Sequence, residues 1–235
     1  MEIRKSRKND KVSVLFMQLA LLLTVILIAS NIFETKEIGV FGPINVTGGL
    51  LVFPLAYVIC RIICEVYGFQ RTCLLIWTGF LLNFLLVAMA GVVDVLPGVG
   101  DPEIARCFHV IFGFSARITI ASCLAFLAGS FVSAYFLSRR KASTKGAGLS
   151  GRFALSALAG EAADSLLFFP IAFIGVLPAG DLLGQMIVQF VFKTLYEIAL
   201  IPASVPIVKQ MQEFDAPQDE WDERSYGLFD IFRRK

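Results

Sequence analysis

The chain has 235 residues, 57% of them hydrophobic and 22 of them phenylalanine, with a mean hydropathy of +0.74 and a formal net charge of +2. A soluble domain of this length could not hide so much apolar surface, so the composition excludes the water-soluble classes and points to one integral membrane domain. The net charge says little about partners, because the charges are segregated along the chain; the bilayer is one partner and no nucleic acid is expected.

A bilayer core of about 30 Å needs about 20 apolar residues per helix. Residues 1–12 form a basic leader with Arg4, Lys5, Arg7, Lys8 and Lys11. Six segments of spanning length follow, at 13–33, 47–67, 72–93, 117–137, 153–176 and 184–208. The first is too long for the apolar stretch of a cleaved leader and reads as a retained helix. The loop at 94–106 is polar and rich in Gly and Pro, and "CFHVIFGF" (107–114) is apolar but too short to span, which suggests an interfacial or re-entrant piece carrying His109. The linker "SRRKASTKGAGLSGR" reads as a flexible basic loop, and 209–235 as a tail with an acidic block and a short amphipathic end.

Lys and Arg set the orientation. The leader, Arg71, the 138–152 linker with Arg139, Arg140, Lys141, Lys145 and Arg152, and the tail with Lys209, Arg224, Arg233, Arg234 and Lys235 carry the positive charge; the opposite side has only Lys36 and Arg106. Both termini are therefore expected in the cytoplasm. The expected fold class is an all-α integral membrane protein of six helices, with the transmembrane domain at 13–208 between a basic cytoplasmic N-terminus and a cytoplasmic tail at 209–235.

Charges inside the spans are costly, about 2.5–3.5 kcal/mol each on insertion scales, and tend to face a cavity or one another. Arg61 and Glu65 stand in the second segment, Arg117 opens the fourth, Glu161 and Asp164 lie in the fifth, and Lys193 and Glu197 lie in the sixth. Three positive groups against four negative leave one acid without a basic partner. Arg61 and Glu65, at i,i+4, can pair along one helix. Glu161, Asp164, Ser165 and Phe168 share one face of the fifth segment; Gln185, Gln189, Lys193, Tyr196 and Glu197 share one stripe of the sixth. A polar zipper that only fixes helix packing is one reading of these stripes. Full charges on adjacent helices favour a binding site instead. Acids with aromatic planes (Phe53, Tyr57, Phe168, Phe173, Phe190, Tyr196) suit a flat, nitrogen-rich molecule.

Five cysteines, with no CxxC pair and a single His, argue against zinc and read as small packing residues. There is no GxxxxGK[ST] element for ATP and no HExxH or GxSxG set for catalysis, so neither ATP hydrolysis nor an enzyme is expected, and no cofactor.

"SN" at Ser30–Asn31, "TGGLLVFPLAYVICRIICEVYGFQRT" (47–72), "ARITIASCLAFLAGSFVSAYF" (116–136), "GEAADSLLFFPIAF" (160–173) and "FVFKTLYEIALIP" (190–202) resemble, in order, the queuosine precursor transporter family, also called the vitamin uptake transporter or YhhQ-like family. The resemblance implies a six-helix inner-membrane importer of 7-deazaguanine precursors such as preQ0 and preQ1. Glu65 and Gly68 match its "EVYG" element; Arg117 and Ser122 match an Arg…Ala-Ser element. Glu161 precedes a near-constant Asp-Ser, here Asp164–Ser165, and Lys193 matches a lysine in the sixth helix. The sequence departs from the pattern at Arg61, where many members carry Asp, and at Ser130 and Ser133, where members often have a Gln and an Asp.

The expected site lies between the second, fifth and sixth segments, with Arg117 at its outer mouth. Asp164 and Glu161 would take the donor edge of the substrate, with Ser165, Gln189 and Lys193 completing the set and phenylalanines stacking; Arg61, Glu65, Asn31 and Phe168 complete the candidate residues. A secondary transporter is the leading reading. A membrane subunit energised by a separate ATPase partner, uptake of another purine-like or vitamin-like molecule, and a homo-oligomeric assembly stay open.

Overall fold

A computed structural model describes residues 13–33, 36–41, 44–112, 116–175 and 178–214. The basic leader and most of the tail, with its expected amphipathic end, lie outside the described residues. Six long apolar helices account for the expected spans: α1 (Val14–Phe33), α2 (Gly49–Tyr67), α3 (Phe69–Val95), α5 (Ala116–Ser143), α6 (Leu149–Phe173) and α7 (Ala179–Phe214). The short α4 (Pro102–Phe112) sits between α3 and α5. A helix satisfies all of its backbone groups within one segment, which is why apolar runs of this length take that form in lipid.

Three features depart from the sequence reading. The basic linker is largely helix, because α5 continues to Ser143 and α6 begins at Leu149. Strands β1 (Glu37–Phe41) and β2 (Ile44–Thr47) pair antiparallel in a small hairpin just before α2, with Ile38 opposite Val46. Isoleucines and valines flanking Gly42–Pro43 are the signal for such a hairpin. The 107–114 piece belongs, as far as Phe112, to α4, none of whose residues is buried and whose His109 Nδ1 lies 2.7 Å from Asp94 Oδ2 at the end of α3.

α2 is the axis of the bundle. Fourteen of its 19 residues are buried, and it packs against α1, α3, α5 and α7. α3, by contrast, turns Leu81, Phe84, Leu85 and Met89 outward, as a lipid-facing helix should. A single residue, Gly68 at φ 86°, joins α2 to α3; that left-handed backbone favours glycine. Its N–H still caps α2 on Cys64 O at 3.1 Å. The most extensive helix contact is α5 on α6. A Cβ on Gly160 would stand 2.9 Å from Ser133 Cβ and 3.0 Å from Gly129 O, so only glycine permits this approach. Cys60, Cys64, Cys73 and Cys123 are buried, as packing residues should be; Cys107 is exposed.

Candidate functional site

Buried charges occupy two levels of α2, one helical turn apart. At the upper level, α2 contributes Tyr57 and Arg61, α6 contributes Glu161 and Asp164, and α7 contributes Lys193 and Glu197. All six are less than 9% exposed, and Glu161 and Glu197 are fully buried. Of the two polar stripes, Glu161, Asp164 and Ser165 on α6 and Lys193 and Glu197 on α7 face inward as their spacing implies, whereas Phe168, Gln189 and Tyr196 are half-buried and Gln185 is exposed.

Asp164 is the best-supported acid. Lys193 Nζ donates to its Oδ2 at 2.7 Å and the Tyr57 hydroxyl donates to its Oδ1 at 3.0 Å. Lys193 also stands 5.1 Å above the Phe53 ring and 3.9 Å from Glu161 Oε2, so one ammonium lies between two acids and against an aromatic face. Arg61 Nη2 forms an ion pair with Glu197 Oε2 at 2.8 Å. The Glu161 and Glu197 carboxyls adjoin each other, α6 against α7. Among the described residues, no hydrogen bond reaches either oxygen of Glu161, or the hydroxyls of Ser130, Ser133, Ser165 and Thr194, although each is buried. A buried polar group without a partner costs about 1–3 kcal/mol, so packing alone does not account for this concentration of them.

The glycine crossing sets the geometry. A Cβ on Gly129 would run into Gly160 O at 2.9 Å and Asp164 Cβ at 3.1 Å, and into the Tyr57 hydroxyl. The absence of side chains at 129 and 160 thus lets α5 approach until Tyr57 and Asp164 meet between the helices. Ser130 and Ser133 follow on the same helix as Gly129.

The lower level is different in kind. Glu65 is not the partner of Arg61, against the i,i+4 expectation. It is held by Arg152 of α6 through Nη1–Oε2 and, at 3.0 Å, Nη2–Oε1. Arg152 also donates from Nε to Ala147 O at 3.1 Å and from Nη2 to Gly146 O at 2.9 Å. Lys141 Nζ reaches Glu65 O at 2.7 Å. Sequence reasoning placed Arg152 and Lys141 in a solvated loop; Arg152 is in fact 4% exposed. Helix register explains both corrections. α2 and α6 run antiparallel, Tyr57 meeting Asp164 and Glu65 meeting Arg152, and this leaves Arg61 beside α7.

The other expected residues are dispersed. Ser165 is buried one turn beyond Glu161, and Gln189 is half-buried one turn before Lys193. Asn31 Nδ2 donates to Asn83 Oδ1 at 2.7 Å, and Asn83 Nδ2 reaches Cys123 Sγ, which ties α1 to α3 and α5 rather than to the charged cluster. Phe168 packs edge-on against Phe169 and Phe173. Tyr196 donates to Leu51 O at 3.1 Å. The side chain of Arg117 lies outside the described residues. The Tyr57 hydroxyl was missed as a ligand of Asp164; its place at i−4 from Arg61 was the available signal.

A family profile described as "Putative vitamin uptake transporter" matches residues 47–207, which include both charged levels. A curated protein of Bacillus subtilis (strain 168), named "Probable queuosine precursor transporter", is 25% identical over 195 residues, covering 82% of each chain. No solved structure matches the chain.

Proposed function

The chain belongs to the vitamin uptake transporter family, and on that premise we propose that it imports 7-deazaguanine queuosine precursors of the preQ0 and preQ1 type across the bacterial inner membrane. It is a multi-pass membrane protein of a transporter family. Both termini lie in the cytoplasm in this reading, as the distribution of Lys and Arg requires.

The observation that carries the reading is the buried set Asp164, Lys193 and Tyr57 with the half-buried Phe53 beside it. Asp164 accepts from an ammonium and a phenol that a substrate's N–H groups can replace. Lys193, once displaced, has Glu161 as its next acid. Phe53 offers the flat base an aromatic face. Arg61 and Glu197 balance each other behind the site, and Gln189 and Ser165 extend its polar lining.

The test is binding of preQ0, preQ1 and guanine to the purified chain, wild type against Asp164→Asn, with thermal stability recorded in parallel. A charged hydrogen bond is worth about 1.5–3 kcal/mol, so the variant is expected to lose about ten-fold or more in affinity while still melting cooperatively. No binding by wild type, with a variant that merely melts earlier, would reduce the cluster to a packing device. Uptake by the purified chain alone in liposomes separates a self-sufficient carrier from a subunit that needs an ATPase partner.

A further inference from the structure

The upper cluster does not balance. Among the described residues it holds three carboxyls (Glu161, Asp164 and Glu197) and two cations (Arg61 and Lys193), so with every group ionised these carry one uncompensated negative charge, 2 − 3 = −1. Among the described residues, the charged and titratable groups of this level are Arg61 and Tyr57 on α2, Asp164 on α6, and Lys193 and Glu197 on α7, and the buried side-chain hydroxyls of the same three-helix packing include those of Ser130 and Ser133 on α5, Ser165 on α6 and Thr194 on α7. The serines, the threonine and Tyr57 are neutral. Both cations are committed elsewhere: Arg61 to Glu197 at 2.8 Å and Lys193 to Asp164 at 2.7 Å, against 3.9 Å to Glu161.

The surplus charge therefore falls on Glu161, whose carboxyl is fully buried and without a hydrogen-bond partner as a carboxylate. Its neighbour Glu197 offers only acceptor oxygens. Two ionised carboxylates have no donor between them, whereas one proton supplies the donor and removes the charge together. A surplus charge left at membrane depth, sharing one ammonium with Asp164, is expensive, so the closed site favours that neutralisation.

We propose that Glu161 carries a proton in the closed site, donated in a hydrogen bond to Glu197, and that this proton is the coupling ion of transport. The inference rests on the transporter reading above and deepens it by separating two roles: Asp164 meets the substrate, and Glu161 meets the proton. When the site opens to water, the Glu161 O–H bond breaks, the electron pair stays on the carboxylate oxygen, and the proton leaves to water. Lys193, 3.9 Å away, is the nearest cation among the described residues to the carboxylate so formed.

Infrared spectroscopy of the purified chain at neutral pH tests the proton without any substrate. The expected result is a carbonyl band of a protonated carboxylic acid that shifts in D2O, is lost in Glu161→Gln, persists with a displaced frequency in Glu161→Asp, and survives Glu197→Gln. In liposomes, wild-type preQ1 uptake is expected to accelerate when the outside is made acidic and to ignore a sodium gradient, and Glu161→Gln to lose the response to pH. A band indifferent to both Glu161 variants overturns the inference. So does uptake that follows sodium, which would place a metal cation at the same carboxylate. Failure of preQ1 to be carried at all, with the Glu161 band present, sinks the substrate reading and leaves the proton in place.

Discussion

Arg61 and Glu65 stand one turn apart on α2 and belong to opposite kinds of site. The Glu65 level is saturated: Arg152 grips both carboxylate oxygens and two carbonyls of the α5–α6 connection, and Lys141 takes the backbone oxygen. The Arg61 level has three acids for two bases and several buried hydroxyls without partners. A buried ion pair whose hydrogen bonds are all made is an anchor, and replacing it with apolar packing would often be neutral. In the transport reading proposed above, a buried set left unfinished is the level that receives something that comes and goes. Charge in a membrane helix is therefore not by itself a mark of function; the number of unmet hydrogen bonds separates the two levels.

The contrast can be broken first at the anchor. Arg152→Ala leaves Glu65 buried with, among the described residues, Lys141 as its remaining ion-pair partner, at 4.0 Å from its carboxylate, and should cost about 3–5 kcal/mol, read as a large fall in melting temperature in detergent. Gly160→Ala forces α5 and α6 apart at their closest point and should cost about 1–3 kcal/mol, with binding falling as well, because Asp164 and Tyr57 move with the helices. Asp164→Asn should cost less stability than Arg152→Ala, about 1–2 kcal/mol, since Asn can still accept from Tyr57 and Lys193 retains Glu161; an equal loss in both variants would erase the distinction between anchor and site. A double-mutant cycle on Arg61→Gln and Glu197→Gln should return a coupling of about 0.5–3 kcal/mol, whereas Arg61→Gln with Glu65→Gln should be additive within about 0.5 kcal/mol. The smallest effect is expected for Glu161→Gln, within about 0.5 kcal/mol in thermal melts, because the amide N–H donates where a protonated acid would.

Much of this architecture is legible in the sequence. Apolar run length gives six helices, and helical spacing puts Glu161, Asp164 and Ser165 on one buried face and Lys193 and Glu197 on another. What spacing does not give is the register between helices. Arg61 had a plausible partner four residues away, and only the packing of α2 against α7 sends it to Glu197. Arg152 looked like one more basic linker residue because the start of α6 was placed after it; beginning the helix at Leu149 turns it inward. Asn31 was drawn into the candidate site by resemblance, and its amide pairs instead with Asn83, a residue that periodicity did not mark. Local pattern decides which face a residue occupies; long-range packing decides whom it meets there.

The last helix has a mechanical consequence. At 36 residues α7 is roughly 54 Å long, far more than the roughly 30 Å of hydrocarbon it crosses. Lys193 and Glu197 stand near its middle, and Pro202 and Pro206 follow within three turns. Each proline deletes a rung of the backbone ladder, so the stiff rod that holds the two charges is joined to its distal end through a compliant stretch. A tilt of the charged half can be absorbed there as bending, and the far end of the rod need not swing with it.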